Sequence, residues 1–534
     1  MSSTTHTLNP PAAAAAPAQD KASTATWIAV IAGMIGAFMA ILNIQITNAS
    51  LLNIEGGIGT GVDNGAWIST SYLIGEIIVI PLTSYLSRVF SFRTYMIGST
   101  FFFALFSMAC AFAHDLGSMI AMRGLQGFAG GVLIPMAFTM VVTKLPKAQQ
   151  PTGLAMFALA VTFAPAIGPT IGGYLTENYG WQTIFFINTA PSMVMIAALW
   201  FTLERAPMQL HLLKEGDWAG IATMAIGLSA LQTMLEEGNK DDWFGSPFIV
   251  KLAITAAVFL TAFIWIELKV KNPLVDLRLL LNRNFGIGTL ANVLVGIGLF
   301  GSVYVVPQYL GQVQGYNAEQ IGMVLAWTGL PQLLLIPLVP RLMKMMDVRY
   351  LGFIGIALFA ASCFMNTHMT LDYAGDQFFI PNIVRAVGQA LILTPLTAIA
   401  TQDIAPKDAA NASGLFNMLR NLGGAVGTAT LATIITKREQ FHSNIIGQSV
   451  VSSREEVHHR LDQMTGYFMS HGISDVATAQ HQAIVALGNI VKKQALVMGF
   501  SDTFAVLGVL LAVAAVSLLL AKKGKAGAGA AGAH

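Results

Sequence analysis

Along this chain, apolar residues gather in long runs separated by short polar stretches, with no period-two alternation sustained enough to suggest strands. A helix needs about 20 mostly apolar residues to cross the hydrocarbon of a bilayer. By that test fourteen spans are predicted, the first eight near 27–49, 66–87, 94–113, 118–143, 153–174, 181–203, 217–235 and 248–268. The rest fall near 285–311, 319–342, 349–366, 378–400, 413–436 and 500–521. The expected fold class is an all-α integral membrane protein. Between the last two spans, 437–499 is a polar loop whose SREEVHHRLDQM and ATAQHQAIVALGNIVKKQA read as amphipathic helices.

Composition agrees with the pattern: 54% of residues are hydrophobic and only 10% charged, against roughly 25% charged in soluble domains. The net charge of +2 hides a sorting of the basic residues. Eighteen of the 29 Lys and Arg, from Lys21, Arg88 and Arg93 to Lys271, Lys407 and Lys525, fall in segments that share one side when both termini are cytoplasmic, and two, Lys240 and Lys251, fall in short loops opposite. By the positive-inside rule the basic side is cytoplasmic. The ends, 1–26 and 522–534, are Ala-, Gly- and Pro-rich or basic and are expected to be disordered cytoplasmic tails. Cys110 and Cys363 lie far apart in apolar runs and read as packing residues. No basic patch suited to nucleic acid is present.

The first and second halves echo each other. IPLTSYLSRVFSFRTY from Ile80 returns as IPLVPRLMKMMDVRYL from Ile336, 256 residues later; Arg123 and Arg385 are 262 apart, and Gly153 and Gly414 are 261 apart. Near-constant offsets in one order predict two six-span bundles, 27–205 and 285–521, joined by a linker, 206–284, that carries two extra spans. Parallel repeats of this kind place a substrate path between them.

With these features the chain resembles the major facilitator superfamily, and within it the fourteen-span drug:proton antiporters of the type that serve as multidrug efflux permeases in tripartite pumps. IAMRGLQGFAGGVLIP carries the Arg, Gln-Gly and glycines of the fourth-span motif at Arg123, Gln126, Gly127, Gly130 and Gly131. APAIGPTIGG resembles the antiporter motif of the fifth span, with Gly168, Pro169, Gly172 and Gly173. WQTIFFIN, DWAGIATMAIGLSALQTMLEEG, DDWF and NPLVDLRLL match in order. Three positions depart. The loop after span two has Arg88 where an Asp is usual, Ala164 replaces the first Gly of the antiporter motif, and LNIQITN puts Asn43 where the first span usually carries an acid.

That missing carboxylate draws attention to Glu76, alone in SYLIGEIIVIPL on span two. Ionisable residues at membrane depth are costly and are functional candidates by default. Burial favours the neutral form of a carboxyl, so Glu76 is expected to load and release a proton. Arg123 stays charged and needs a carboxylate, carbonyls or water; the resemblance implies a part in proton coupling, through Glu76 or backbone carbonyls. Arg385 is expected either to be buried like Arg123 or to snorkel to the interface. Asn417, Arg420, Asn421, Gly424 and Thr428 form a stripe on one face of span thirteen, which lines either a cavity or a polar helix interface. Further cavity candidates are Asn43, Tyr72, Gln126, Asn292, Tyr304, Gln308, Trp327 and Gln332, with Phe38, Met136, Phe157 and Phe163 as apolar wall. Glycines of spans four and five are expected to serve close packing, and Pro135, Pro165 and Pro169 to break helices.

Five of the ten His lie in the long loop without ligand spacing, so a solvated surface is expected there and no metal site. No GxxxxGKS loop, HExxH or GxSxG motif occurs, so an enzyme, an ATP-driven pump and a bound cofactor are not expected; the proton gradient would supply the energy. The predicted function is proton-coupled export of hydrophobic or amphipathic drugs across the bacterial inner membrane by alternating access. The resemblance implies, as partners, a periplasmic adaptor and an outer-membrane channel. The alternatives are a dedicated exporter of a siderophore, fatty acid or other metabolite, perhaps anionic and held by Arg420, and a membrane sensor or scaffold that transports nothing.

Overall fold

The computed structural model describes residues 21–523 except 61, 215, 271–272, 406–407 and 452. Most of both expected tails, together with Lys271, Lys407 and Lys525, lies outside the described residues. Within them every regular element is helical. The first helix, Thr24–Ala49, starts inside the expected tail because the Ser23 hydroxyl caps it by accepting from Thr26 N.

Among the described residues, twelve helices are long and apolar enough to cross a membrane, and Gln150–Pro165 with Ile167–Tyr179, bent by 45°, makes a thirteenth if the pair is one span. The remaining expected span, 413–436, lies inside the helix Ala409–Ser449 but is not among these. Its polar stripe is the reason: Asn417, Arg420 and Asn421 cut the hydropathy of that stretch. The long loop is also redrawn. Ala409–Ser449 has 41 residues and Val476–Leu519 has 44, about 60 and 65 Å at 1.5 Å per residue. Each is about twice the length the hydrocarbon needs, so both helices run on into the segment read as a loop, and Glu455–Ser470 joins them.

Proline and glycine set the breaks. Span four is two helices, Leu116–Gly130 and Leu133–Lys144, parted just before Pro135. Span twelve is parted in the same way, into Phe379–Ala390 and Leu393–Thr401, just before Pro395. Pro395 stands 260 residues after Pro135, in step with the other echoes. Span five bends between Pro165 and Pro169. In each case a ring without an N–H removes a bond from the helical ladder.

Two apolar cores form. One collects residues of the first six spans together with Ile336, Ala390 and Leu393 of spans ten and twelve; the other collects spans seven to fourteen together with Ile77, Ile80, Leu82, Tyr85 and Val89 of span two. The helix Val62–Val89 is therefore shared, with Tyr72 and Val79 in the first core and Ile77 and Ile80 in the second. Glu76 sits where its two faces meet. Contacts cross between the cores at several levels. Ser84 Oγ donates to Asn411 Oδ1 at 2.7 Å. On the other side, a Cβ at Gly322 would meet Thr170 Cα at 2.8 Å, so spans five and ten touch backbone to side chain.

The extra helices, Trp218–Glu237 and Pro247–Lys269, pack as a hairpin. Thr70 Oγ1 donates to Glu237 Oε1 at 3.5 Å, while Asn239 Nδ2 and Trp243 Nε1 donate to Thr436 Oγ1 and Thr433 Oγ1 at 3.3 and 2.9 Å. The hairpin thus grips span two and span thirteen together. At the basic end, Arg349 Nη1 donates to Ala521 O at 2.9 Å and Arg283 Nη2 to Leu520 O at 2.9 Å. Gln209 N donates to Val89 O at 2.8 Å.

Candidate functional site

Arg123 projects from the first helix of span four and is fully buried. Its Nη1 donates to Asn43 Oδ1 at 2.6 Å and Gln126 Oε1 at 2.7 Å, and its Nε to Ile68 O at 3.2 Å. The ring of Tyr72 lies 4.3 Å from the guanidinium carbon, a cation–π contact strengthened by the absence of water. Tyr72 is itself held, donating to Ala40 O at 3.3 Å, and Cys110 Sγ donates to Gln126 Oε1 at 3.7 Å. Asn43, Tyr72 and Gln126, proposed from the sequence as cavity lining, are here the shell of one arginine.

Of the two partners expected for Arg123, a backbone carbonyl, Ile68 O, accepts from it, and Glu76 does not pair with it. Among the described residues no carboxylate is within salt-bridge distance of Arg123; three neutral oxygens and a ring face take that place. Asn43 contributes to this, because its Oδ1 presents an acceptor that satisfies Arg123 locally.

Glu76 is buried at 5% exposure. Its place depends on Gly131, where a Cβ would meet Glu76 Cα at 2.9 Å and Cγ at 3.0 Å. A Cβ at Gly127 would overlap the Tyr72 carbonyl. These two glycines let span four lie directly on span two, as small residues do in membranes. From across the seam, Asn421 Nδ2 donates to Glu76 Oε1 at 3.5 Å. Arg420 and Arg123 are the cations whose charges act on Glu76.

Arg420 is 2% exposed, and its Nε has no hydrogen-bond partner. Its backbone is pressed against span nine, because a Cβ at Gly296 would overlap Arg420 O. Asn292 Nδ2 donates to Phe416 O at 2.8 Å, leaving its Oδ1 unpartnered, and Asn417 Nδ2 donates to Ser413 O on its own helix at 2.9 Å. The stripe on span thirteen therefore faces spans two and nine.

The other candidates scatter. Tyr304 and Gln308 are half-buried on span nine. Gln332 pairs with Gln389 at 3.0 Å. Trp327 is 45% exposed and edge-on to Phe379. Phe157 packs on Phe138 within the first core, with ring centres 5.5 Å apart. Arg385 is 5% exposed with an unpartnered Nε, so it is buried and does not snorkel. In the antiporter motif, a Cβ at Gly168 would overlap Gln45, and one at Gly172 would meet Ile46 O at 2.9 Å. Gly172 and Gly168 thus bring spans one and five together; Pro169 and Gly173 lie on the same helix. Two acids went unremarked in the sequence. Glu236 accepts from Gln232 Nε2 at 3.0 Å and its charge reaches Tyr304, and Glu267 is 2% exposed. Glu236 lies in the LEEG stretch, where only a family match was seen.

The family model of the Major Facilitator Superfamily matches residues 33–428. The colistin resistance protein EmrB of Acinetobacter baumannii is 33% identical over 501 residues, spanning 93% of this chain and 97% of that one. The multidrug export protein EmrB of Escherichia coli is 30% identical over 511 residues, spanning 95% and 98%. Among solved structures, the proton:xylose symporter XylE aligns with a TM-score of 0.58 over 92% of this chain and 95% of that one, at 12% identity, which bears on the fold alone. With two apolar cores meeting at a seam and buried charges on both sides of it, this multi-pass membrane protein belongs to the Major Facilitator Superfamily.

Proposed function

We propose that the protein is a proton-coupled exporter of hydrophobic or amphipathic compounds, with Glu76 as the proton carrier. The observation that carries the reading is the position of Glu76: buried, on the helix shared by both cores, and touched from the opposite side by Asn421. A proton there changes the charge at the seam. With Glu76 ionised, Arg420 is drawn toward span two; with Glu76 neutral, that attraction is gone and the seam is free to part. Arg123 keeps its neutral oxygens in both states, so the first bundle holds its shape while the seam changes.

In this reading 27–205 and 285–521 rock against each other, and the linker hairpin of 206–284 travels with the seam through Glu237, Asn239 and Trp243. Substrate and proton compete for the space between Asn292, Tyr304, Asn417 and Arg420. Support for the cargo class comes from the export proteins to which the chain is 30 to 33% identical over nearly its whole length. We place the protein in the bacterial inner membrane with both termini cytoplasmic. The helices beyond 437 would then project outward, where an adaptor that leads to an outer-membrane channel would dock.

The test uses inverted vesicles with an imposed pH gradient, a panel of cationic dyes, amphiphiles and fatty acids, and Glu76→Gln beside the wild type. The expected result is proton efflux triggered by at least one compound in the wild type and lost in the variant. Equal responses from the two proteins would move the proton site elsewhere. A folded wild type that answers no compound would remove the exporter reading.

A further inference from the structure

The linker hairpin holds a second pair of acids, remote from Glu76. Asp217 caps the helix Trp218–Glu237, its Oδ1 accepting from Gly220 N at 2.8 Å, while its Oδ2 is buried without a partner. Glu267 lies one turn before the end of Pro247–Lys269 and is 2% exposed. Its Oε2 accepts from Val275 N at 3.1 Å, and its Oε1 is also buried without a partner. The two free oxygens face the same point. A Cβ at Gly220 would meet Glu267 Oε1 at 3.0 Å and Asp217 Cγ at 2.8 Å, with Asp217 Oδ2 closer still. Gly220 is what leaves the space between them open.

The surroundings offer no compensating charge among the described residues. The charged groups acting most strongly on Glu267 are Asp217 and Asp276, both acids. The nearby cations are engaged elsewhere: Lys269 Nζ lies 3.9 Å from the Trp265 ring centre, and Arg278 Nη2 donates to Leu268 O at 3.1 Å. Lys214 is exposed. From span two, Tyr85 approaches, but its hydroxyl donates to Leu212 O at 3.0 Å. Two ionised carboxylates whose unpartnered oxygens share the space beside Gly220, one of them buried, repel and are poorly solvated. One positive charge between them removes both costs.

We propose that Asp217 and Glu267 form a single-cation site at the basic end of the linker hairpin, taking one proton or one small monovalent metal ion between their free oxygens. Occupied, the site fastens the start of one extra helix to the end of the other and to the loop at Val275. Emptied, it pushes them apart. It is separate from the exchange assigned to Glu76 and does not depend on it.

The experiment is thermal unfolding of the full chain in nanodiscs, from about pH 6 to about pH 8.5, in choline chloride and in sodium or potassium chloride at equal ionic strength. The folded state holds the cation and the unfolded chain does not, so stability falls as pH rises. In choline the wild type is expected to lose about 1 °C or more across that range beyond the loss shown by Glu267→Gln or Asp217→Asn, a shift of the order of one kcal/mol for a chain of this length. Asn remains a competent helix cap, so at least Asp217→Asn is expected to fold. The difference made by Glu267→Gln should persist in full when Glu76→Gln is added to both proteins, which separates this site from the transport reading. If sodium or potassium restores the wild type at the alkaline end, the ligand is a metal ion; if neither does, it is a proton. A wild type with no response to pH or salt, or variants that follow the wild type, would overturn the proposal.

Discussion

Arg123 and Arg420 are both buried arginines near Glu76, yet they are held in opposite ways. Arg123 has three oxygen acceptors and a tyrosine face, all from its own bundle. Arg420 has an orphaned Nε, a backbone clamped to span nine, and Glu76 as the charge acting on it from across the seam. A buried cation that is fully hydrogen-bonded is a structural fixture. One left partly unsatisfied beside an acid responds to that acid's charge. Under the proposed function, this difference assigns the coupling to Glu76 and the second bundle, with the first bundle's arginine serving as a rigid floor.

The sharpest way to break this comparison is to remove each arginine in turn. Arg123→Leu strands Asn43 Oδ1 and leaves Gln126 Oε1 only the weak Cys110 Sγ donor, at about 1 to 3 kcal/mol for a buried group left unpaired. A loss of roughly 3 to 5 kcal/mol is expected, read as collapse of the monodisperse peak and of the unfolding midpoint in detergent. Arg420→Leu strands no such set and should fold with a much smaller loss, while transport in the vesicle assay fails. Equal destabilisation by the two would dissolve the distinction.

A smaller effect should come from Asn421→Ala, which removes the hydrogen bond to Glu76 without touching a charge. A loss of about 1 kcal/mol, a factor of roughly five, is expected. It should appear in the drug-triggered proton flux, with stability nearly unchanged. A variant with full flux would mean that Asn421 takes no part in the coupling.

The smallest effect belongs to a half-buried pair at the basic end, which sharpens the comparison by contrast. Arg349 Nη2 meets Asp347 Oδ2 at 3.0 Å, and these hydrogen bonds hold the Asp347 carboxyl below the usual carboxylate range. A lowered value in the folded state means stability that is present above the ordinary carboxylate range and lost as pH falls through the folded value. Asp347→Asn should cost no more than about 1 kcal/mol near neutral pH, and the difference from wild type in unfolding midpoint should vanish in acid.

Several features of the site were legible in the chain because they are local. Glu76 and Arg123 stand out as charges in apolar runs, and the stripe from Asn417 to Thr428 follows from helical spacing. Asn43 was visible as a departure from the family pattern. That it would satisfy Arg123, and so leave Glu76 to the other bundle, was not, because the partners lie 80 residues apart along the chain. Glu267 gave no signal at all, since an acid near the end of an apolar helix reads as a boundary residue.

By itself, the sequence determined the helical class, most of the spans and the types of residue at membrane depth, because hydropathy and helical period are properties of neighbouring residues. Tertiary structure alone decided which oxygens dress Arg123, which bundle Glu76 answers to, that the polar loop continues two spanning helices, and that Asp217 and Glu267 share one small space. Each of these depends on helices distant in sequence meeting at a fixed rotation. Gly131, Gly220 and Gly296 set those approaches, through side chains that are absent.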